Sequence, residues 1–176
     1  RGCRARAGAR RRGAARCARG TRRGQADKPP PGVRVGFLGD ARGNMADSYL
    51  VGCAKRGRDL RIGTAPALSP RTEAVDLARS IARETGATIT ITNDLATAVR
   101  DCDAIATDVW VSMGEPDEIW ATRIEQLLPF QVNARALELT GNPDVRCPHC
   151  LPASHNADPT VARETGRANG WTPVTP

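Results

Sequence analysis

Five short apolar or β-branched runs, separated by stretches of helical period, constrain this chain more than any other feature. Val33-Arg34-Val35-Gly36-Phe37-Leu38 alternates and then runs apolar into Gly39-Asp40, which reads as a strand ending in a turn. Leu60-Arg61-Ile62-Gly63, Ala87 to Thr92, Ala104 to Trp110 and Val145 to Leu151 supply four more. Between them the spacing predicts helices. One runs from Asp47 to Lys55 and is closed by Gly57. A second opens with Ser69 as N-cap and Pro70 at the first helical position, buries Val75, Ala78, Ile81 and Ala82, and stops at Gly86. Asp94 caps a short helix that runs to Val99, and Pro116-Asp117 opens another with Ile119, Trp120, Ile124, Leu127 and Leu128 as its apolar positions. Asn133 to Leu139 is a last short helix, stopped by Gly141-Asn142-Pro143. Strands alternating with helices imply an α/β fold, a doubly wound parallel sheet with helices on both faces. Ligands in such sheets sit beyond the carboxyl ends of the strands. Gly39-Asp40, Asp108 and Cys150-Leu151 all fall at predicted strand ends.

The net charge of +7 over 176 residues belongs to one end of the chain. Residues 1–32 hold ten Arg and Lys28 against the single acid Asp27, a local charge of +10. Residues 33–176 hold fifteen basic residues against eighteen acids, which makes the body mildly acidic at −3. The first segment contains no Leu, Ile, Val, Phe or Met and so has nothing from which to build a core. Three origins fit it: a mitochondrial presequence, an Arg/Gly phosphate-binding tail, or a disordered extension that need not be native. A presequence should also be amphipathic and Ser-rich, which this is not. A nucleic-acid binder should carry its basic residues on a folded face interleaved with aromatics, and this segment has none. Composition therefore favours a disordered extension over 1–32 and one compact domain over 33–176, with nucleic acid disfavoured as a partner. No apolar run approaches the roughly 18 residues needed to cross a bilayer. With no secretory signal in view, six cysteines read as reduced thiols in the cytoplasm.

Two motifs suggest cofactors, and neither holds. Gly36-x-x-Gly39 follows a strand but lacks the G-x-G-x-x-G spacing, and no acid closes the second strand to hold a ribose. Cys147-Pro148-His149-Cys150 has a C-x-x-C spacing, yet a structural zinc needs four ligands and a redox pair belongs at a helix start. No cofactor and no metal are expected. Asp108-Val109-Trp110-Val111-Ser112-Met113-Gly114-Glu115 is the most unusual stretch. A carboxylate there suits an amine, while the hydroxyl and backbone of the loop suit a carboxylate; on composition alone, a capped turn with Asp108 accepting backbone N–H bonds is the favoured reading.

Gly39-Asp40-Ala41-Arg42-Gly43-Asn44-Met45, then Asp108 to Glu115, then His149-Cys150-Leu151-Pro152-Ala153-Ser154-His155-Asn156 occur in that order. Leu128-Pro129-Phe130-Gln131-Val132-Asn133 and Thr140-Gly141-Asn142-Pro143 accompany them. Together they resemble the second, ornithine-binding domain of the ornithine carbamoyltransferases, within the aspartate/ornithine carbamoyltransferase family. The resemblance runs from about Val33 to at least Asn156 and more weakly beyond.

The resemblance implies that Asn44, Asp108, Ser112 and Met113 hold ornithine, and that His149, Cys150 and Leu151 form the loop that meets ornithine and the carbamoyl group. Asp108 would pair with the α-ammonium, and Asn44 with backbone N–H groups would serve the α-carboxylate. Cys150 would orient the neutral δ-amine and help the developing oxyanion rather than attack it covalently. Gly43 stands where the family usually shows a second Asn, and Ser154 where it shows an aromatic residue. A Ser-x-Arg-Thr motif binds carbamoyl phosphate in the family's first domain. That domain and its motif are expected to be missing here, their place taken by the Arg/Gly/Ala tail, and the chain is expected to stop short of the family's closing C-terminal helix. The expected whole is a truncated carbamoyltransferase of arginine metabolism that binds ornithine and turns over negligibly alone. Carbamoyl phosphate would become a ligand only with the missing domain, in a family that is homotrimeric. A non-catalytic amino-acid-binding or assembly module of a split transcarbamoylase is the alternative.

Overall fold

The computed structural model describes residues 32–111 and 119–148. The elements follow in the order β1 (Arg34–Leu38), α1 (Asn44–Ala54), β2 (Asp59–Gly63), a 3-10 turn (Pro66–Leu68), α2 (Thr72–Thr85), β3 (Thr88–Thr92), α3 (Leu95–Val99), β4 (Ala104–Thr107), α4 (Ile119–Leu127), a 3-10 turn (Leu128–Phe130) and α5 (Ala134–Glu138). The four strands form one parallel sheet in the order β3-β2-β1-β4. β1 is central, with Val35 opposite both Leu60 and Ala104.

Alternation along the strands divides the apolar side chains between two faces. Val35, Phe37, Leu60, Ile62 and Ala106 pack under α1 and α2, joined by Leu50, Val75 and Ala78. Leu38 and Ile105 point the other way, into a second cluster with Ala98, Val99, Leu127, Phe130 and Ala136 from α3, α4, the 3-10 turn and α5. The ring of Phe37 lies 5.4 Å from that of Tyr49, tilted by 45°, and fastens α1 to the central strand. Both faces are therefore covered, as the alternation of strands and helices implies. Among the described residues no helix is long and apolar enough to cross a membrane.

Local chemistry sets the ends of the helices. Gly86 adopts φ 75° and donates to Ala82 O at 2.9 Å, a left-handed cap that ends α2 where the sequence predicts. Asp94 and Asn133 cap α3 and α5 by accepting from Thr97 N and Ala136 N. Arg61, on β2, turns its guanidinium onto the carbonyls of Thr97 and Arg100 at the end of α3 and is itself held by Asp59.

Several boundaries differ from expectation. α2 begins at Thr72 rather than Pro70, because the Ser69 hydroxyl turns back to Pro66 O at 3.0 Å and closes the 3-10 turn instead of capping the helix. β4 ends at Thr107 rather than Trp110, since the Val109 N–H is taken by the Asp108 carboxylate. The fifth strand shrinks, within the described residues, to one parallel bridge between Arg146 and Ala104. Its two hydrogen bonds are Arg146 N to Asp103 O and Ile105 N to Arg146 O. Pro148, two residues on, has no N–H with which to continue that ladder.

Gly63 marks the tightest approach between sheet and helix. A Cβ there would lie 2.6 Å from Leu38 Cδ2 and 2.8 Å from Ala98 Cβ. Leu38 can rotate, but Ala98 cannot retreat without moving α3. Gly63→Ala is expected to destabilise the chain by about 1–3 kcal/mol, read as a lower urea midpoint; an unchanged midpoint would show that α3 is free to shift.

Candidate functional site

The strand order itself opens a crevice. β1, β2 and β3 succeed one another outward on one side, after which the chain crosses back and lays β4 on the other side of β1. The connection leaving β1 leads to α1 on one face, whereas the connection leaving β4 leads to α4, whose Leu127 belongs to the core of the opposite face. This is the switch point of the sheet, the place beyond the carboxyl ends of the strands where ligands bind in folds of this kind. The two strand ends are pinned together by Thr107 Oγ1, which donates to Leu38 O at 2.8 Å.

The first wall is the turn from Gly39 to Asn44. Gly39 N donates to Gly63 O and Ala41 N to Leu68 O, which anchors the turn on β2 and its following loop. Between them stands Asp40. Its Oδ1 accepts from Arg42 N at 3.0 Å and Arg42 Nε at 3.2 Å, while Oδ2 takes Arg42 Nη2 at 3.2 Å and the Nη1 of Arg123 from α4. Burial pushes the Asp40 carboxyl up, but the Arg42 side chain and N–H together with the Arg123 guanidinium outweigh it, so its pKa is held below the ordinary 3.8. Gly43, extended, then leads into α1, and Asn44 is the first helical residue, exposed, with its carbonyl accepting from Ser48 Oγ. The helix starts ahead of the expected Asp47, which falls in its first turn, where a carboxylate suits the helix dipole.

The second wall begins with Asp108, immediately beyond β4 and half-buried. Its Oδ1 accepts the N–H of Val109 at 2.9 Å, and among the described residues it enters no ion pair. The two carboxylates at these strand ends are thus differently employed. Asp40 is saturated by two guanidinium groups, while Asp108 makes one local bond and retains acceptor capacity for a cation.

Of the residues singled out from the sequence, Asn44 and Asp108 both stand at the carboxyl ends of the adjacent strands β1 and β4. Ser112, Met113, His149, Cys150 and Leu151 lie outside the described residues. Among the described residues no group of three or more His, Cys, Asp or Glu side chains could hold a metal ion. Cys102 is fully buried between α3 and β4, and burial pushes its thiol up to about 12, so it is no nucleophile.

Three features escaped the sequence reading. Arg123 resembled one more charge on an amphipathic helix, and no spacing rule ties it to a residue 83 positions earlier. Asp40 was visible as a polar turn, but its role as the meeting point of two guanidinium groups was not. The letters of Ser-x-Arg-Thr, expected to be missing, do occur, as Ser69-Pro70-Arg71-Thr72. In the fold they are structural: Ser69 closes the 3-10 turn, Arg71 pairs with Asp47 of α1, and Thr72 opens α2.

The chain matches the family described as aspartate/ornithine carbamoyltransferase, Asp/Orn binding domain, over residues 31–166. It is 51% identical over 138 residues to the catabolic ornithine carbamoyltransferase of Chromobacterium violaceum, covering 78% of this chain and 41% of that protein. To the corresponding enzyme of Pseudomonas putida it is 47% identical over 144 residues, covering 82% and 43%. Among solved structures, the ornithine carbamoyltransferase of Pyrococcus furiosus superposes with a TM-score of 0.69 at 30% identity, covering 86% of this chain and 51% of that one. The anabolic enzyme of Campylobacter jejuni gives 0.69 at 28% identity, covering 80% and 46%. The chain thus spans about two fifths of the length of the curated relatives it matches.

Two measurements probe this geometry. A carboxylate whose folded pKa is depressed contributes stability above its unfolded pKa and loses it as pH falls through the folded value. The stability advantage of the parent over Asp40→Asn is therefore expected to be full at pH 7 and to shrink below the ordinary 3.8; a gap that persists undiminished into strong acid would show that charge is not its source. Cys102 is expected to resist iodoacetamide at pH 8 in the folded chain and to react once urea unfolds it; labelling at equal rates in both states would contradict its burial.

Proposed function

The chain belongs to the aspartate/ornithine carbamoyltransferase family, and from that premise we propose that residues 33–176 form its ornithine-binding domain. In the full reaction the carbamoyl group of carbamoyl phosphate passes to the δ-amine of ornithine, giving citrulline and phosphate. The matched region is the family's Asp/Orn binding domain, so turnover is assigned to a cytoplasmic assembly, homotrimeric as the resemblance implies, that also contains a carbamoyl-phosphate-binding domain. This chain alone contributes the amino-acid site and is expected to be inactive.

The observation that carries this is the contrast between the two strand-end carboxylates. A diamino acid bound at the switch point needs an acceptor for its α-ammonium, and Asp108 is the carboxylate there that no guanidinium occupies among the described residues. Its α-carboxylate needs donors, which Asn44 supplies from the opposite wall at the positive end of α1. Ser112 and Met113 complete the amino-acid site. His149, Cys150 and Leu151 meet the reacting end, where Cys150 orients the amine and the loop donors stabilise the tetrahedral oxyanion. The δ-amine must shed its proton to attack, so the site must disfavour the ammonium form, which a closed and desolvated crevice does. Support for bringing the loops together comes from the parallel bridge of Arg146 to Ala104. In the sequence Asp108 follows Ala104 by four residues and Cys150 follows Arg146 by four.

Titration calorimetry tests the assignment. The chain is expected to bind ornithine, and Asp108→Asn to cost about 1.5–3 kcal/mol of that affinity, roughly ten- to a hundredfold; equal affinity would remove Asp108 from the site. With both substrates supplied, robust citrulline production by the chain alone would overturn the need for a second domain.

A further inference from the structure

The ion pair between Asp40 and Arg123 joins the turn after β1 to α4, 83 residues on in the sequence. Asp40 lies one turn ahead of Asn44 in the first wall, and Arg123 lies in the middle of α4, the helix to which the second wall leads. Arg123 is 8% exposed, and its helix is held to the sheet by Leu127 in the core below. A guanidinium at that depth needs a counter-charge, because a charge left unpaired away from water is heavily penalised. Sliding α4 along the sheet, or lifting the Gly39–Asn44 turn, would break this pair.

We propose that Asp40 is a positioning residue of this site, tying the turn that presents Asn44 to α4 through Arg123 and so fixing the separation of the two walls of the crevice. Asp40 is not itself a ligand for substrate. Oδ1 is filled by the Arg42 N–H and Nε, and Oδ2 by Arg42 Nη2 and Arg123. Arg42 acts with it, closing the turn from within, so one carboxylate sets both the local shape of the first wall and its distance from the second. The inference rests on the ornithine site proposed above.

Three variants separate positioning from stability. Asp40→Asn keeps an acceptor for the Arg42 N–H but drops the charge. The double variant Asp40→Asn/Arg123→Met removes both charges and leaves an apolar side chain in the buried place, a replacement that is often neutral or stabilising. Arg123→Lys keeps the charge without the forked geometry. Ornithine affinity is expected to fall about tenfold or more in Asp40→Asn, and to stay that low in the double variant although its unfolding temperature recovers. Arg123→Lys should keep the fold and still weaken binding severalfold. In the double variant the amide resonances of Asn44 and Asp108 should move while those of β3 stay in place. Parental affinity in the double variant, or in Arg123→Lys should the double variant not fold, would overturn the positioning role while leaving the site intact. Absence of ornithine binding by the parent chain would overturn the site, and this inference with it.

Discussion

Strand β1 is the member on which the rest depends. It is paired along both edges, by β2 and by β4, and covered on both faces, Phe37 facing one core and Leu38 the other. A strand so enclosed can be entered and left only at its ends. Every connection it makes must pass over the rim of the sheet, and the reversal of strand order beside it sends the connections leaving β1 and β4 to helices on opposite faces. The crevice is therefore a consequence of satisfying the central strand's backbone and burying its side chains, rather than a feature added to a finished fold.

Charge is distributed differently at the two rims. At the amino end, Arg34 bridges Asp59 and Asp101, Arg61 shares Asp59, and Asp103 accepts from the Arg34 N–H. The exposed Arg34–Asp101 pair contributes about 0–1 kcal/mol, whereas Arg61 and Asp59 are mostly buried and Asp103 is buried, so they help pin the strand ends while apolar burial holds the sheet. At the carboxyl end the pairing is deeper and more selective. Asp40 is committed to Arg42 and Arg123, and Asp108 is kept out of that cluster. One carboxylate is committed to architecture, and the other retains acceptor capacity.

Much of this was legible in the sequence, and the failures are instructive. The strands at Arg34–Leu38, Asp59–Gly63 and Thr88–Thr92 follow from alternation and β-branching, because packing on both faces rewards the residues that local propensity favours. Asp94, Asn133 and Gly86 announced their helix ends, since a cap is a contact within a few residues. Ser69 misled for the same reason in reverse: its hydroxyl had two local acceptors to choose from, and the 3-10 turn behind it won. Trp110 was read as strand because it is large and apolar, but it packs against the second core from a bend, after Asp108 has taken the next ladder N–H. In the candidate site, motif order singles out Asn44 and Asp108 as candidates, but not Arg123. Its significance lies in a partner 83 residues away, and neither helical period nor charge pattern encodes such a pairing.

What the sequence determined by itself is the set of elements, their parallel arrangement and the family to which they belong, because these rest on periodicity, capping and motif order, which act over a few residues. Only the tertiary structure decided which carboxylate is pinned and which keeps acceptor capacity. That choice depends on how α4 is laid across the rim of the sheet, where, among the described residues, the buried Arg123 guanidinium pairs with Asp40 and not with Asp108.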